Sequence, residues 1–414
     1  MKNALTLTLL AAASSACFAQ AAPSPSVTVY GLADAGITYT TGTTNRTQLV
    51  SGIMEGSRFG LRGNEDMGGG YRALFVLESR VELNSGSGSN RPPTGSQVPD
   101  RFNQAALLGL PGALQPAVSA VAAQLGATLG VNLGNAFWHR QAYVGLVTPF
   151  GALIAGRQYT PAYEVLAAFD TLGTQSSLSV GQVGAIPESV TIRANNALQY
   201  RIVLGGLTAS AMYAIGGVPG NTKANRFGGV MAQYKMGGLM VGAGYNKLNN
   251  DIGLNSLEST VLGASYAVGP GPISGLAIQL KDDNPAGVSG IAASLTPLTG
   301  APAAALVQAA FTSALRQDAQ VLHIGYKMTT GPNTFYVAYS SFNDKRGPNA
   351  DVASYGVAYS YALSKRTDLN AVLTHFNNKG LAQAAPGQAG FLGGVTTSAG
   401  VDSNNVAFGI RHRF

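Results

Sequence analysis

The last eleven residues of the chain read Asn404-Asn-Val-Ala-Phe-Gly-Ile-Arg-His-Arg-Phe414 and alternate strictly in character. Large, mostly apolar side chains occupy the even positions from Val406 to Phe414, and small or cationic ones occupy the odd positions. A period of two is typical of a β-strand, in which successive side chains point to opposite faces. Because the large side chains continue to the terminal residue, the pattern predicts a strand with lipid against one face and water in a lumen against the other.

The composition of the whole chain favours the same environment. Charged residues make up only 11% of the 414 residues, against roughly 25% in soluble domains. There are 54 glycines, and the mean hydropathy is only +0.14, so apolar residues are interleaved with polar ones and not gathered into spans. This combination predicts a membrane β-barrel and argues against a helical membrane protein or a cytosolic enzyme. A soluble β-sandwich, the alternative, needs bulky residues on a second, dry face, and too few are present.

The N-terminus has the form of a secretory signal peptide. A basic start at Lys2, an apolar run from Leu5 to Ala13 and a small-x-small site at Cys17-Phe18-Ala19 predict cleavage after residues 1–19. A lipoprotein signal at Cys17 is the rival interpretation, but Ser14 occupies a position where that signal requires an aliphatic residue. Cys17 is the only cysteine. The mature chain would then have no disulfide framework, zinc–cysteine site or cysteine nucleophile.

Residues 20–414 are predicted to form one all-β domain, because strand-like segments recur with turns of two alternating lengths. Short turns such as Asp66-Met-Gly-Gly-Gly70 and Thr330-Gly-Pro-Asn333 alternate with longer loops. That alternation is typical of a transmembrane β-barrel with tight periplasmic turns and long outer loops. Sixteen antiparallel strands are counted, an even number that returns both ends to the periplasmic side. They lie near residues 26–40, 52–65, 70–84, 137–148, 151–160, 191–203, 206–216, 226–236, 239–248, 258–268, 274–282, 319–330, 333–343, 351–363, 366–377 and 403–414.

Two uncharged stretches, Phe102 to Trp138 and Pro285 to Leu315, are longer than the roughly 20 residues of a spanning helix. Both are rich in alanine and glycine and are interrupted by proline, so each is expected to hold one short helix in a long outer loop, 85–136 or 283–318. Pro116 and Pro302 suit the first turn of such helices. The sequence leaves open whether these loops pack over the mouth, clasp a neighbouring subunit or enter the lumen.

The basic balance of the chain does not indicate nucleic acid as a partner. The net charge is +7, but the cations are spread singly along strands, as suits a charged lumen or a surface that faces lipopolysaccharide. Asn249–Asp251 and Asp282–Asn284 are clusters that could hold Ca²⁺, although solvated turns are the commoner outcome. No metal site or other cofactor is expected, because the histidines are far apart and lack metal-ligand spacing. These histidines are His139, His323, His375 and His412.

Six segments of the chain resemble the general diffusion porins of Gram-negative bacteria, in the form found in Neisseria and Burkholderia relatives. Each motif alone is weak evidence, but six in family order form a specific resemblance. The loops around 100–136 and 285–318 are longer than the family usually carries. The six segments are Val27–Asp34, Gly56–Asp66, Arg140–Leu146, Phe150–Tyr159, Leu363–Asp368 and Gly409–Phe414.

The resemblance implies a trimeric sixteen-stranded barrel whose third outer loop, here Thr160 to Val190, folds inward and narrows the pore. It also implies wall cations that face carboxylates on this loop. The motifs carry Arg58 and Arg140 over as wall residues, and position alone carries Arg193. The loop acids correspond loosely to Glu164 and Asp170, because the family's usual acidic loop motif is absent. A terminal aromatic such as Phe414 resembles the signal that the barrel-assembly machinery reads.

Strand parity independently places several charged side chains in the lumen. Arg58 shares a face with Arg62, while Phe59 and Leu61 take the other face. A lipid-facing arginine at mid-bilayer costs about 2–4 kcal/mol, so these arginines should face water. Arg140 is expected to share its face with Ala142, which would leave Tyr143 outward. Lumen-facing Arg157 and Asp34 complete the predicted constriction, with Arg80 as a weaker candidate.

These observations predict a passive outer-membrane channel for small hydrophilic solutes, with a preference for anions. A substrate-selective channel should show a track of aromatic residues along the lumen, and none is apparent. An outer-membrane protease or phospholipase would need serine, histidine and acid groups converging on one strand face, which the sequence does not show. A surface-recognition or adhesin barrel stays open because of the two long loops. The expected partners are two further copies of the chain, outer-membrane lipid and lipopolysaccharide.

Overall fold

The structure is a computed structural model and describes residues 26–44, 46–88, 98–126, 136–173, 176–387 and 391–414. The predicted signal peptide, residues 1–19, lies outside them. The strands are β1 Ser26–Thr40, β2 Arg46–Ser51, β3 Arg58–Gly68, β4 Tyr71–Arg80, β5 Gln141–Thr148, β6 Gly151–Tyr159, β7 Arg193–Leu204, β8 Leu207–Ala214, β9 Phe227–Met236, β10 Leu239–Asn249, β11 Asn255–Val268, β12 Gly271–Asp282, β13 Gln317–Thr330, β14 Asn333–Asp344, β15 Val352–Ala362, β16 Thr367–Asn378, β17 Ala384–Gly387, β18 Phe391–Val395 and β19 Ser403–Arg413. The helices are α1 Gln115–Gly126, α2 Pro161–Phe169, α3 Ile291–Thr299 and α4 Ala301–Leu315.

All strands except the β17–β18 hairpin form one closed antiparallel barrel. The C-terminal strand β19 pairs with β1 from Leu32 opposite Arg413 to Thr40 opposite Asn405, which closes the barrel and removes both free edges. Strands β2 and β3 share one position in the wall, because both pair with β1 over different halves of its length. The barrel therefore has sixteen wall positions, and the predicted fold class is confirmed.

The alternation read from the terminal strand is present in the barrel. Phe408 and Ile410 are 60% and 48% exposed on the outer face, whereas Ala407 and Arg411 are buried on the lumen side. A large apolar outer face against lipid and a small or polar inner face are what a membrane barrel requires.

One predicted strand differs from the structure. A continuous strand was expected over residues 52–65, but the chain leaves the ladder at Gly52–Ser57 and resumes at Arg58. We call these six residues the inner shelf. The cause is the burial of Asp34, described below.

The described parts of the long second and sixth outer loops pack on each other, through a core that contains no residue of a barrel strand. We call residues 98–126 and 283–316 together the helical cap. Pro116 and Pro302 lie in the first turns of α1 and α4, and the second uncharged stretch holds two helices where one was expected. The helices among the described residues are all too short or too polar to cross a membrane. The apolar core of the cap is formed by Phe102, Ala105, Leu110, Ala117, Val118, Val121, Leu125, Val288, Ile291, Leu295, Ala304, Val307, Phe311 and Leu315.

Candidate functional site

The third outer loop, expected over Thr160 to Val190, folds into the lumen over its described residues 160–173 and 176–192, and we call it L3. Its helix α2 lies on the inner faces of β9, β10 and β11, where glycines form a flat seat. A Cβ at Gly263 would lie 2.1 Å from the ring of Phe169, and a Cβ at Gly244 would lie 2.7 Å from Cα of Ala162. Because only hydrogen fits at these positions, the helix lies flush against the wall.

The chain after α2 is pinned to the next part of the wall by a histidine. The Thr171 N–H donates to Nε2 of His323 at 3.2 Å, and Nδ1 of His323 lies 2.8 Å from the Ser340 hydroxyl. Asp170 lies 3.9 Å from Nε2 of the same ring, and the side chains of Asp170 and His323 are fully buried. Asp170 was predicted to face the pore. The structure corrects this, because its carboxylate lies against the wall, where a solute in the channel does not reach it.

Loop L3 continues across the lumen to the inner shelf. Its Leu172 and Leu178 belong to one buried apolar cluster with Ile53 and Met54 of the shelf. The loop thus contacts β9–β11 and also the opposite side of the barrel near β1.

The inner shelf forms because its backbone N–H groups donate hydrogen bonds to the buried carboxylate of Asp34. The Asp34 carboxylate accepts hydrogen bonds from the N–H groups of Ile53, Met54 and Glu55 at 2.9, 2.9 and 2.8 Å. Three such charge-assisted bonds replace the ladder bonds that a continuous strand would make. Asp34 has no exposed surface. Its predicted place in the constriction is therefore corrected to that of a buried anchor.

The shelf presents Glu55 to arginines from both ends of the chain. Glu55 lies 3.2 Å from Arg58, 2.8 Å from Arg411 and 3.2 Å from Arg413. Asp368 on β16 shares Arg411 and Arg413 at 3.0 and 2.8 Å. Glu55 thus joins Arg411 and Arg413 of the last strand to Arg58 of β3. Glu55 was not predicted as a site residue, because its side chain points inward only when residues 52–57 leave the strand.

A second group of charges surrounds Glu78 and Tyr159. Arg140 donates to Glu78 at 2.7 Å and to the Tyr159 hydroxyl at 2.9 Å, and Arg58 lies 3.7 Å from the same carboxylate. Arg193 donates to Tyr159 at 3.2 Å and stacks over its ring at 4.7 Å. Three of the predicted wall arginines thus converge, on partners that sequence reasoning did not identify.

Tyr143 and Arg140 differ from the parity prediction. Tyr143 was expected to face lipid, but it pairs with Gly156 and packs on the lumen side with Leu74 and Ile154. The reason is that Arg140 precedes β5, so the alternation counted from it does not continue into the strand. The Arg140 side chain is only 2% exposed.

The remaining predicted residues have different surroundings. Arg157 donates to the His139 carbonyl at 2.7 Å and to Asn195 at 2.6 Å. Arg80 is buried in an ion pair with Glu82. Glu164 of α2 forms a two-pronged pair with Arg201 on β7 at 3.0 and 2.9 Å, so it ties L3 to the wall.

Glu188 is an acid of L3 that interacts electrostatically with the wall arginines Arg193 and Arg157. It was not predicted. Its carboxylate accepts the Ile192 N–H at 3.0 Å. Burial raises the pKa of Glu188 to about 7, and the Ile192 N–H, Arg193 and Arg157 limit the rise. Near neutral pH this carboxyl is therefore only partly ionised, and it offsets the arginines incompletely.

The two charged groups together have an excess of positive charge. With Arg157 and Glu188 added, they comprise six arginines and four carboxylic acids, one of which, Glu188, has its pKa raised to about 7. The arginines are Arg58, Arg140, Arg157, Arg193, Arg411 and Arg413, and the acids are Glu55, Glu78, Glu188 and Asp368. An arrangement of this kind favours anions over cations in a water-filled pore.

The two loop clusters that suggested calcium lie next to each other. Asn250 donates to the Asn284 carbonyl at 3.3 Å, and the Asp282 carboxylate accepts from Ser256 at 3.1 Å. Across the described ranges, no group of three or more histidine, cysteine, aspartate or glutamate residues is placed to hold a metal ion.

Comparisons with known proteins agree with this geometry. A family model described as Gram-negative porin matches residues 6–381. An outer-membrane porin of Bordetella pertussis is 26% identical over 98% of this chain and 99% of its own. Outer membrane porin protein 32 of Delftia acidovorans is 25% identical over the full length of both chains. Among solved structures, an anion-selective porin from Comamonas acidovorans covers 94% of this chain and 100% of its own, with a TM-score of 0.67 and 23% identity.

Proposed function

The chain belongs to the Gram-negative porin family, and we infer that its barrel is a passive outer-membrane channel for small hydrophilic solutes that prefers anions. The observation that carries the preference is the excess of arginine over carboxylate along the path beside L3. The anion-selective porin with the similar fold supports it. Arg58, Arg140, Arg157 and Arg193 are proposed to form the positive side of the constriction, with Glu188 and the shelf acid Glu55 as its negative groups.

Reversal potentials test this preference directly. In a planar bilayer with a tenfold KCl gradient, the purified protein should give a potential of the sign expected for chloride. A potential of the opposite sign would contradict the proposal. Conductance that saturates with one solute class would favour the alternative, a substrate-selective channel.

The ionisation of Glu188 predicts a pH dependence of selectivity. Because its pKa is raised to about 7, the carboxyl is mostly neutral below pH 6 and mostly charged above pH 8. Anion preference should therefore be greater at pH 6 than at pH 8. The variant Glu188→Gln should show, at both pH values, the anion preference of the native channel at pH 6. If anion preference in this variant still fell between pH 6 and pH 8 as much as in the native channel, Glu188 would be excluded as the cause.

The side of the barrel wall formed by the short strands β5 and β6 is the proposed contact between the subunits of a trimer. Strand β5 has eight residues and β6 has nine, which at the usual tilt cover about 20 Å of a ~25 Å apolar band. An aromatic cluster of Phe59, Phe137 and Trp138 lies beside them, with ring centroids 4.6–6.2 Å apart. A second copy of the chain would cover both features. A trimeric form of a similar fold is known from Vibrio cholerae.

Substitution of this aromatic cluster tests the trimer contact. The double variant Phe137→Ser with Trp138→Ser should shift the protein in detergent from trimer to monomer in analytical ultracentrifugation. Leu322→Ser on β13, 47% exposed on another side, is the matched control and should stay trimeric. An intact trimer in the double variant would rule out this face.

No enzymatic activity is proposed, although Ser340, His323 and Asp170 do come together. All three are buried where L3 meets the barrel wall, so a substrate has no access, and their geometry suits an anchor for the loop. Hydrolysis of an acyl ester that is lost in Ser340→Ala would contradict this interpretation. Contacts with lipopolysaccharide and reading of Phe414 by the assembly machinery stay predictions.

A further inference from the structure

One short turn in the second outer loop, within residues 98–126 of the helical cap, joins the cap to L3. The turn Asp100–Phe102 places Phe102, with no exposed surface, in the core of the cap. The Asp100 N–H donates to the side-chain oxygen of Gln383 in loop L8, residues 379–402, at 2.6 Å. Between them, the Arg101 guanidinium donates to the Ile186 carbonyl of L3 at 3.0 Å and approaches the Leu381 carbonyl of L8 at 3.4 Å.

The carbonyl that Arg101 holds lies two residues before Glu188, the L3 acid whose carboxylate accepts the N–H of Ile192, the residue that precedes Arg193. The chain beyond it is fixed separately. Gln317 donates to the Glu188 carbonyl at 3.3 Å, and Ser259 donates to the Ser189 carbonyl at 2.7 Å. Arg101 therefore restrains this part of L3 from the outer side, and the wall strands restrain it from the other.

We propose that Arg101 is a positioning residue for the pore: it fixes the outer tip of L3 so that Glu188 stays beside Arg157 and Arg193. Through that position Arg101 would set how strongly the channel prefers anions. The inference rests on the proposed function of the same site and assigns part of its control to the cap.

The chemistry of arginine suits this role. A planar guanidinium can donate to carbonyls of two different loops at once, whereas a lysine ammonium offers a point charge without the fork. Charge-assisted hydrogen bonds of this kind are roughly twice as strong as neutral ones. Burial lowers the pKa of Arg101 to about 10, so the side chain stays charged at neutral pH. The guanidinium also lies over the ring of Phe102, 4.8 Å from its centroid, and Phe102 belongs to the apolar core of the cap together with Val307 and Phe311.

Single-channel recording of three variants in the full-length protein tests the proposal. Arg101→Gln should increase the frequency of brief closures about tenfold. It should also move the reversal potential further toward the chloride value, because a displaced Glu188 would offset Arg157 and Arg193 less. Arg101→Lys keeps the charge and should restore part of the native behaviour. Arg316→Gln is the matched control, because Arg316 donates to the Asp283 carbonyl within L6 at 3.0 Å, and it should record like the native channel.

A double-mutant cycle with Glu188→Gln separates positioning from general loosening. If Arg101 acts through Glu188, Arg101→Gln should change selectivity in the native background and have little further effect in the Glu188→Gln background. Equal effects in both backgrounds, or equal effects of Arg316→Gln, would overturn the proposal. Recordings from Arg101→Gln that match those of the native channel would also overturn it. A protein that conducts no ions at all would instead refute the proposed function, and unheated gel mobility confirms that each variant is folded.

Discussion

Gly263→Ala is expected to push the L3 helix off the barrel wall and lower the single-channel conductance. The added Cβ would lie 2.1 Å from the Phe169 ring, and real carbon contacts are about 3.5–4 Å. The ring has no exposed surface and is held on all sides, so it cannot rotate away, and α2 must move toward the open path. Overpacking of this kind costs about 1–3 kcal/mol.

The same pair offers a rescue that identifies the mechanism. Phe169→Ala removes the ring, so the double variant Gly263→Ala with Phe169→Ala should conduct like Phe169→Ala alone. Gly275→Ala is the matched control, because its Cβ would meet only the His323 carbonyl at an ordinary 3.5 Å. If Gly263→Ala conducts like the native channel, or the double variant is as restricted as the single, the glycine seat does not set the width of the pore.

Neutralising Arg58 and Arg140 together is expected to lower the anion-to-cation permeability ratio by about tenfold. Both contact Glu78, at 3.7 and 2.7 Å, so their loss also leaves that carboxylate without its two nearest cations. A unit charge 4 Å from an ion is worth about 1 kcal/mol in bulk water, and 1.4 kcal/mol corresponds to a tenfold ratio. Reversal potentials of Arg58→Gln with Arg140→Gln measure the change.

Two controls separate charge from structure in this experiment. The pair Arg58→Lys with Arg140→Lys keeps both charges and should retain most of the anion preference. Arg366→Gln removes a cation at an exposed periplasmic turn and should have little effect. An unchanged ratio in the glutamine pair, with a normally inserted trimer, would exclude these arginines from the ion path. The pH dependence of selectivity should be the same in the glutamine pair as in the native channel, because both substitutions leave Glu188, Arg157 and Arg193 in place.

The architecture of the barrel was predictable because it depends on local periodicity. One face of each strand contacts lipid and the other contacts water. Large apolar and small or polar residues therefore alternate along each strand, as they do in Asn404–Phe414. Short glycine and proline turns then determine the strand count. The prediction was wrong at Gly52–Ser57, where the chain leaves the wall for a long-range partner, Asp34.

The candidate site was predictable only in part. Arg58 was placed by motif and parity, Arg140 by motif and Arg193 by position, because their backbone lies in or beside regular strands. Glu55, Glu188 and Tyr159 were not found, because their direction depends on loops that leave the sheet. Asp170 was misplaced for the same reason, since nothing in its neighbourhood along the chain indicates that His323 lies behind it.

The sequence by itself therefore determined the membrane barrel, the number of its strands and the sign of its charge, since all three follow from residue type and spacing along the chain. Only the tertiary structure decided which charges face each other. The pairing of Glu55 with Arg411 and Arg413, the glycine seat under Phe169 and the reach of Arg101 to Ile186 each join segments far apart in sequence. Such contacts depend on how the strands close and how the loops fold over one another, and no local pattern records them.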